Sequence, residues 1–64
     1  MNDKTEQQQP KPRMALVTLV GRGSFTGRIH KEHSSGFDVV TNEDPLVTEW
    51  FAKDSEYCKC VEVQ

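Results

Sequence analysis

Two histidines and two cysteines are the residues of this chain whose types could support metal binding or nucleophilic chemistry. His30 and His33 lie three positions apart, and Cys58 and Cys60 lie two positions apart. Two imidazoles and two thiols form a ligand set that zinc accepts, but structural zinc sites usually separate paired cysteines by about two to four residues. Cysteines this close in a strand are more often small hydrophobic residues of a core. The sequence therefore predicts no metal site and no cofactor.

The sequence also lacks the patterns that carry catalysis. A dyad of either cysteine with either histidine has no supporting motif, and no pair of carboxylates marks a cleft for acid and base catalysis. Gly21, Arg22 and Gly23 form a glycine-rich turn, but this turn joins two predicted strands, and no helix N-terminus follows it to bind a phosphate. The protein is therefore predicted to act by binding, without enzymatic turnover.

Charged residues divide the chain into a basic and an acidic part, although its formal net charge is only −2. Residues 14–33 hold three cations and one acid, whereas residues 34–64 hold two cations and seven acids. An anionic partner would meet the first group and a basic partner the second, while the alternative is that both are ordinary solvated surface charge. The basic candidates are Arg22, Arg28, His30 and Lys31, and the acidic candidates are Glu43, Asp44 and Glu49.

Trp50 is the single tryptophan of the chain and its foremost aromatic candidate, with Phe51 and Tyr57 nearby in the sequence. An exposed indole could stack on a base of a single-stranded nucleic acid or anchor a protein interface. A domain of this size also often buries its tryptophan as part of the core. The pattern alone leaves these three roles of Trp50 open.

Alternating apolar residues predict that these candidates lie on short strands. Residues 17–29 (VTLVGRGSFTGRI) have the period of two that is typical of a half-buried hairpin, with glycines where the chain must reverse. Further strands are predicted at residues 37–41, 46–52 and 57–63, separated by polar turns. Five short strands at this spacing predict an all-β fold, a small and strongly bent five-stranded sheet or barrel.

The first thirteen residues, MNDKTEQQQPKPR, differ in composition from the rest because they contain no apolar side chain after Met1. Such a composition is typical of a solvated arm, so we expect a disordered arm at residues 1–13 and one small domain at residues 14–64. No segment approaches the run of about 20 apolar residues that a membrane span needs, and the closely spaced cysteines do not suit a secreted disulfide framework. These features predict a cytoplasmic protein.

The last two predicted strands carry apolar residues on both faces. In the fourth strand Trp50 lies opposite Val47 and Phe51, and in the fifth strand Val61 lies opposite Cys60. Burial on both faces would place these strands at a contact between subunits. A bulge that switches faces within a strand would explain the same pattern.

The hairpin at residues 17–29 resembles the first two strands of the Sm and Hfq family. The family pattern has an apolar residue two positions before a leucine, a glycine-containing turn, and then an alternation of apolar residue, glycine and apolar residue. Leu19, Phe25, Gly27 and Ile29 occupy the matching positions without a gap. The resemblance implies a small β-barrel, a fold that SH3-like interaction modules share.

The resemblance also extends to the later strands and to function. Residues 37–41, 46–52 and 57–63 are similar to the third, fourth and fifth strands of the family, and in that family the last two pair between neighbouring subunits to close a ring. The resemblance thus implies a homo-oligomer formed through the fourth and fifth strands, and RNA as a ligand. The RNA-binding motifs of the family have no counterpart in residues 30–38 (HKEHSSGFD) or 51–57 (FAKDSEY).

Two functions of different class remain. The principal prediction is a non-enzymatic binding module, a regulator or inhibitor that docks on a larger protein complex through its acidic part and an exposed strand edge. The alternative is an Sm-like or Hfq-like regulator that binds RNA or another single-stranded nucleic acid through the basic candidates. The sequence pI of about 5.5 favours the protein partner, and the hairpin resemblance favours the nucleic acid.

Overall fold

The computed structural model describes residues 12–63, which form five antiparallel strands and no helix. The strands are β1 (Met14–Leu19), β2 (Gly23–Glu32), β3 (Gly36–Glu43), β4 (Leu46–Ala52) and β5 (Cys58–Val63). They form one sheet in the order β4-β3-β2-β1-β5. The prediction of an all-β, five-stranded bent sheet is confirmed, and the sheet is open, not a closed barrel. The predicted arm lies outside the described residues except for Pro12 and Arg13.

No helix in the described part of the chain is long and apolar enough to cross a membrane.

The β1–β2 hairpin forms where the alternation of the sequence predicts it. Its register pairs Val17 with Phe25 and Leu19 with Gly23. The chain reverses through residues 20–22, and the Arg22 amide donates a hydrogen bond to the Leu19 carbonyl (3.0 Å). Gly21 and Gly23 have φ angles of 76° and 86°, a left-handed conformation that side chains with a Cβ rarely adopt. Glycine at these two positions therefore sets the hairpin register.

Strand β2 bends because its two halves pair with different neighbours. Residues 23–28 pair with β1, and the second half, from Ile29 to Glu32, pairs with β3. The register shifts between Ile29 and Lys31, which leaves His30 as a bulged residue, and a second shift in β3 occurs at Thr41. A bulge increases local twist and bending, so these two positions let the sheet curl around one face.

The core lies on the concave face of the bent sheet. Every strand contributes to it, and the members are Ala15, Val17, Ile29, Phe37, Val39, Phe51 and Cys60. Val17, Val39 and Cys60 are essentially fully buried. Gly27 makes close packing possible at the bend, because a Cβ on Gly27 would stand 2.6 Å from a methyl carbon of Val39.

The apolar residues on both faces of β4 and β5 do not arise from bulges within these two strands. The β1–β5 register is regular, and the extra residue of the β3–β4 ladder, Thr41, lies in β3. Trp50 and Val61 therefore stay on the convex face, where each is about half exposed (49% and 52%).

Candidate functional site

The outer part of the β3–β4 hairpin is exposed from Thr41 to Trp50, and we call its β4 residues, Leu46 to Trp50, the β4 surface. The exposed fractions of Leu46, Val47 and Trp50 are 50%, 46% and 49%. The alternation of the strand puts Leu46, Thr48 and Trp50 on the convex face and the other two on the opposite face. The β4 surface is therefore apolar on both of its faces and is part of no core.

Trp50 is exposed but not free to move. Its indole ring lies over Gly36 on β3, so close that a Cβ on Gly36 would overlap the ring and stand 2.5 Å from the Phe51 carbonyl oxygen. Gly36 itself is buried. The missing side chain of Gly36 thus provides the space in which the ring packs against β3, while about half of the Trp50 side chain stays exposed.

The other two aromatic candidates have different environments. Phe51 is buried in the core and contacts Phe25 edge to face, with 5.6 Å between ring centroids. Tyr57 is exposed in the β4–β5 connection. Phe51 is thus a structural residue, and Trp50 is the aromatic residue that the β4 surface presents.

The backbone of β4 presents unpaired hydrogen-bonding groups along its outer edge. Among the described residues, β4 pairs only with β3. Just after β4, the Lys53 amide donates a hydrogen bond to the carbonyl of Ser35, the residue before β3 (2.9 Å), so the backbone of Lys53 faces β3. Because consecutive residues of an antiparallel ladder point to opposite sides, Thr48 and Trp50 direct their N–H and C=O groups away from β3. The Ala52 carbonyl also points away from β3, and it accepts a hydrogen bond from the Cys58 thiol of β5 (3.5 Å).

The opposite edge of the sheet is largely occupied. The Cys60 amide on β5 donates to the Lys53 carbonyl (3.1 Å), and the Cys58 carbonyl accepts the Ser55 amide (2.8 Å). By the same alternation, Glu62 is the remaining β5 residue whose backbone points outward. The two edges of the sheet therefore differ, since β4 is open over several residues and β5 is largely covered by the β4–β5 connection.

Of the acidic candidates, Glu49 belongs to the β4 surface, and Glu43 and Asp44 lie just before it. Glu43 accepts a two-point hydrogen bond from Arg28 (2.9 and 3.3 Å), and this contact lowers the pKa of Glu43 and raises that of Arg28. In the described part of the chain, Asp44 and Glu49 make no ion pair. Asp44 lies in the turn between β3 and β4, and Glu49 lies in the middle of the β4 surface. The open edge therefore lies in a negative environment.

The basic candidates are not brought together into one patch. Arg22 lies in the β1–β2 turn and Lys31 near the other end of β2, a path of roughly 30 Å along an extended strand. Arg28 is engaged by Glu43, and His30 is exposed at the bulge. The described structure spreads these four side chains over the length of β2.

A cluster of ion pairs lies at the end of the sheet where the described residues begin. The Arg13 guanidinium donates to Glu62 (2.6 and 2.8 Å) and to Glu32 (2.8 Å), and Lys53 Nζ donates to the second oxygen of Glu32 (3.0 Å). The contacts with Arg13 lower the pKa values of both glutamates. This ion cluster, Arg13, Glu32, Lys53 and Glu62, links residues adjacent to β1 and β4 with β2 and β5. The sequence offered no signal for it, because its members are far apart along the chain.

The histidines and cysteines that the sequence singled out have separate surroundings. His33 Nε2 lies 2.9 Å from a carboxylate oxygen of Asp38, while Cys60 faces the core and its burial raises the pKa of its thiol. Cys58 and Cys60 are both free thiols. Within residues 12–63 no group of three or more His, Cys, Asp or Glu side chains is arranged to hold a metal ion.

A shallow groove of about 490 Å³ lies where β2 and β3 separate. Beyond Ile29 and Val39 these two strands no longer pair, and the pair of Arg28 and Glu43 lies across the opening. The groove is lined by Pro12, Met14, Thr26, Gly27, Arg28, Val40, Thr41, Asn42 and Glu43.

No protein-family model, curated protein or solved structure matches this chain.

Proposed function

We propose that the protein is a non-enzymatic, cytoplasmic binding module, a regulator or inhibitor that docks on a larger protein complex through the β4 surface. The observation that carries this proposal is the exposure of Leu46, Val47 and Trp50 along a strand whose outer edge is unpaired. An aromatic anchor surrounded by apolar residues is the usual centre of a protein interface. An open strand edge adds backbone hydrogen bonds to such an interface.

The absence of turnover is supported by the surroundings of the reactive residues. The Cys60 thiol is buried, and its raised pKa disfavours the thiolate that would act as a nucleophile. His33 is engaged with Asp38 on the convex face. These surroundings give Cys60 and His33 structural roles, which supports binding as the mode of action.

The alternative ligand is RNA or another single-stranded nucleic acid. One arrangement favours it: Lys31 pairs with Asp38 and Asp38 with Trp50, so a cation on β2 and an exposed indole on β4 lie on the convex face on either side of β3. The Asp38 carboxylate between them would repel a phosphate. The other basic candidates are spread along the chain and give no continuous positive path for a nucleic acid backbone. The geometry therefore favours the protein partner.

Site-specific photocrosslinking tests this proposal. A photoreactive phenylalanine analogue replaces Val47 on the β4 surface or, as the control, Val20, which is exposed in the β1–β2 turn. In a lysate of the source cells we expect protein adducts from position 47 that persist after nuclease treatment and are absent from position 20. Adducts that disappear with nuclease would favour the RNA alternative, and equal labelling from both positions would contradict docking through β4.

A further inference from the structure

We infer that the partner adds to the edge of β4 as an extended, basic strand in which lysine or arginine alternates with apolar residues. This inference rests on the proposed docking function and specifies the chemistry of the segment that is bound. Its basis is that the outward backbone groups, the half-exposed Trp50 and the charge of Glu49 all lie on one short strand.

The backbone of β4 defines the conformation of the bound segment. Thr48 and Trp50 each present an outward N–H and C=O group, spaced as in any antiparallel edge. An extended segment can form hydrogen bonds with both donors and both acceptors at once, whereas the backbone groups inside a helix are used in its own hydrogen bonds. Added strands gain affinity from such main-chain bonds and gain specificity from alternate side chains.

The side chains of β4 define the composition of the bound segment. On the convex face, Leu46 and Trp50 provide apolar neighbours for two residues of the added strand, with Thr48 between them. On the opposite face Glu49 stands next to the intervening residues, and opposite charges on adjacent strands stabilise the pairing. Alternating apolar and basic residues meet both requirements, with the apolar residues on the face of Trp50 and the basic residues on the face of Glu49.

A second copy of the chain fits the same edge poorly. In an antiparallel pair of β4 strands that sets Thr48 of one copy opposite Trp50 of the other, the two Glu49 carboxylates would stand opposite each other, and like charges on adjacent strands are destabilising. A β5 strand from a neighbour would offer Glu62 as its outward residue, because Cys58 and Cys60 already bond to the β4–β5 connection. The charges and the occupied β5 edge thus favour a basic partner over self-association.

Titration with synthetic peptides tests the inference, and Trp50 serves as the reporter because it is the single tryptophan. The probe is a capped peptide of about nine residues with alternating lysine and valine, long enough to span a strand. Its controls are a glutamate and valine peptide of the same length and a lysine and valine peptide with N-methylated amides on alternate residues. We expect saturable fluorescence changes with the first peptide only.

Variants of the protein test the two sources of affinity separately. Glu49→Lys should weaken binding of the lysine and valine peptide by about fivefold at low ionic strength, whereas Glu56→Lys makes the same charge change away from β4 and should have little effect. Thr48→Pro removes one outward donor, a substitution that edge strands tolerate, and should also weaken binding. The N-methylated peptide tests the same hydrogen bonds without altering the protein.

Three results would overturn the inference. Equal binding of the acidic peptide would refute the charge argument, and equal binding of the N-methylated peptide would refute strand addition. Failure of all peptides, together with nuclease-resistant crosslinks from position 47, would also overturn strand addition by a basic segment while leaving the proposed docking function in place. Binding of the lysine and valine peptide that Glu49→Lys weakens and Glu56→Lys does not would support the inference.

Discussion

At the scale of single residues, Gly36 has the largest influence on the candidate site, although it contributes no side chain to it. Its position beneath the indole of Trp50 and beside the Phe51 carbonyl leaves no room for a Cβ. The backbone oxygen cannot move without disturbing the β3–β4 ladder. The packing of the Trp50 ring against β3 thus depends on the absence of a Cβ at Gly36.

Gly36→Ala should therefore lower stability and release the ring. We expect a loss of about 1–3 kcal/mol in the free energy of unfolding, as for other overpacked sites, measured by chemical denaturation. The emission of Trp50 should shift to longer wavelength and its anisotropy should fall. Ser35→Ala changes the exposed neighbouring residue and should leave both readings unaltered. A Gly36→Ala protein with wild-type stability and emission would contradict the contact.

The two cysteines should differ in reactivity despite their closeness in the sequence. Cys60 is buried with a raised pKa, whereas Cys58 is half-buried, and the thiolate is the reactive form. In single-cysteine variants made with alanine, a thiol reagent at mildly alkaline pH should modify Cys58 faster than Cys60, by about an order of magnitude. Denaturant should equalise the two rates. Equal rates in the folded proteins would show that Cys60 is not held in the core.

At the scale of elements, the ion cluster connects strands that do not all pair with one another. Arg13, just before β1, bonds to Glu32 at the end of β2 and to Glu62 on β5. Lys53, just after β4, bonds to the same Glu32 and also stands over the Phe37 ring, 5.1 Å from its centroid. These contacts fasten one end of the open sheet, together with the main-chain hydrogen bonds that join Lys53 and Ser55 to β5.

The ion cluster predicts a loss of stability in acid. The pKa values of Glu32 and Glu62 are lower in the folded protein than their ordinary value of 4.5. Their stabilising contribution is therefore complete above pH 4.5 and disappears as the pH falls through the lowered folded values. Denaturation curves at a series of pH values should show a free energy of unfolding that declines below about pH 4.5.

Arg13→Gln should flatten this decline, because it removes the main cause of the lowered pKa values. Arg22→Gln is the matched control, since Arg22 is an exposed arginine that makes no ion pair within the described residues. The control should keep the wild-type pH profile. Identical profiles for Arg13→Gln and Arg22→Gln would contradict the role of the ion cluster.

At the scale of the whole molecule, the sequence predicted the class of fold and the number of its strands because both depend on local patterns. Period-two alternation and turn residues are sufficient for the strands, and the hairpin predicted at residues 17–29 forms with its turn at the glycines. The limits of β3 were less predictable: it continues to Glu43, through two residues that the sequence assigned to a turn. The bulge at Thr41 carries the strand past the point where its alternation is lost.

The candidate site was less predictable than the fold. Trp50 and Glu49 were identified from their residue types, but the support from Gly36 depends on a contact between different strands. The engagement of Arg28 by Glu43 likewise joins residues 15 positions apart. Such contacts leave no trace in the spacing of a single sequence, and they change an apparent basic patch into a partly neutralised surface.

The oligomeric state distinguishes the two proposed uses of the β4 edge. A subunit contact through β4 and β5, which the family resemblance implies, would occupy the edge that the partner needs. If the partner is a basic strand from another protein, sedimentation at tens of micromolar protein should show a species near the chain mass of 7.3 kDa. A larger species that Thr48→Pro dissociates would instead support the subunit contact and contradict the basic-partner inference.

The difference between the two edges of the sheet also determines how many partner strands the molecule can bind. A sheet with two open edges is divalent and can propagate into a fibre, but here the β5 edge is mostly filled by the protein's own β4–β5 connection. A strand added at β4 would therefore end the assembly. The protein would form complexes of fixed one-to-one stoichiometry and act as a terminator of any sheet that it joins.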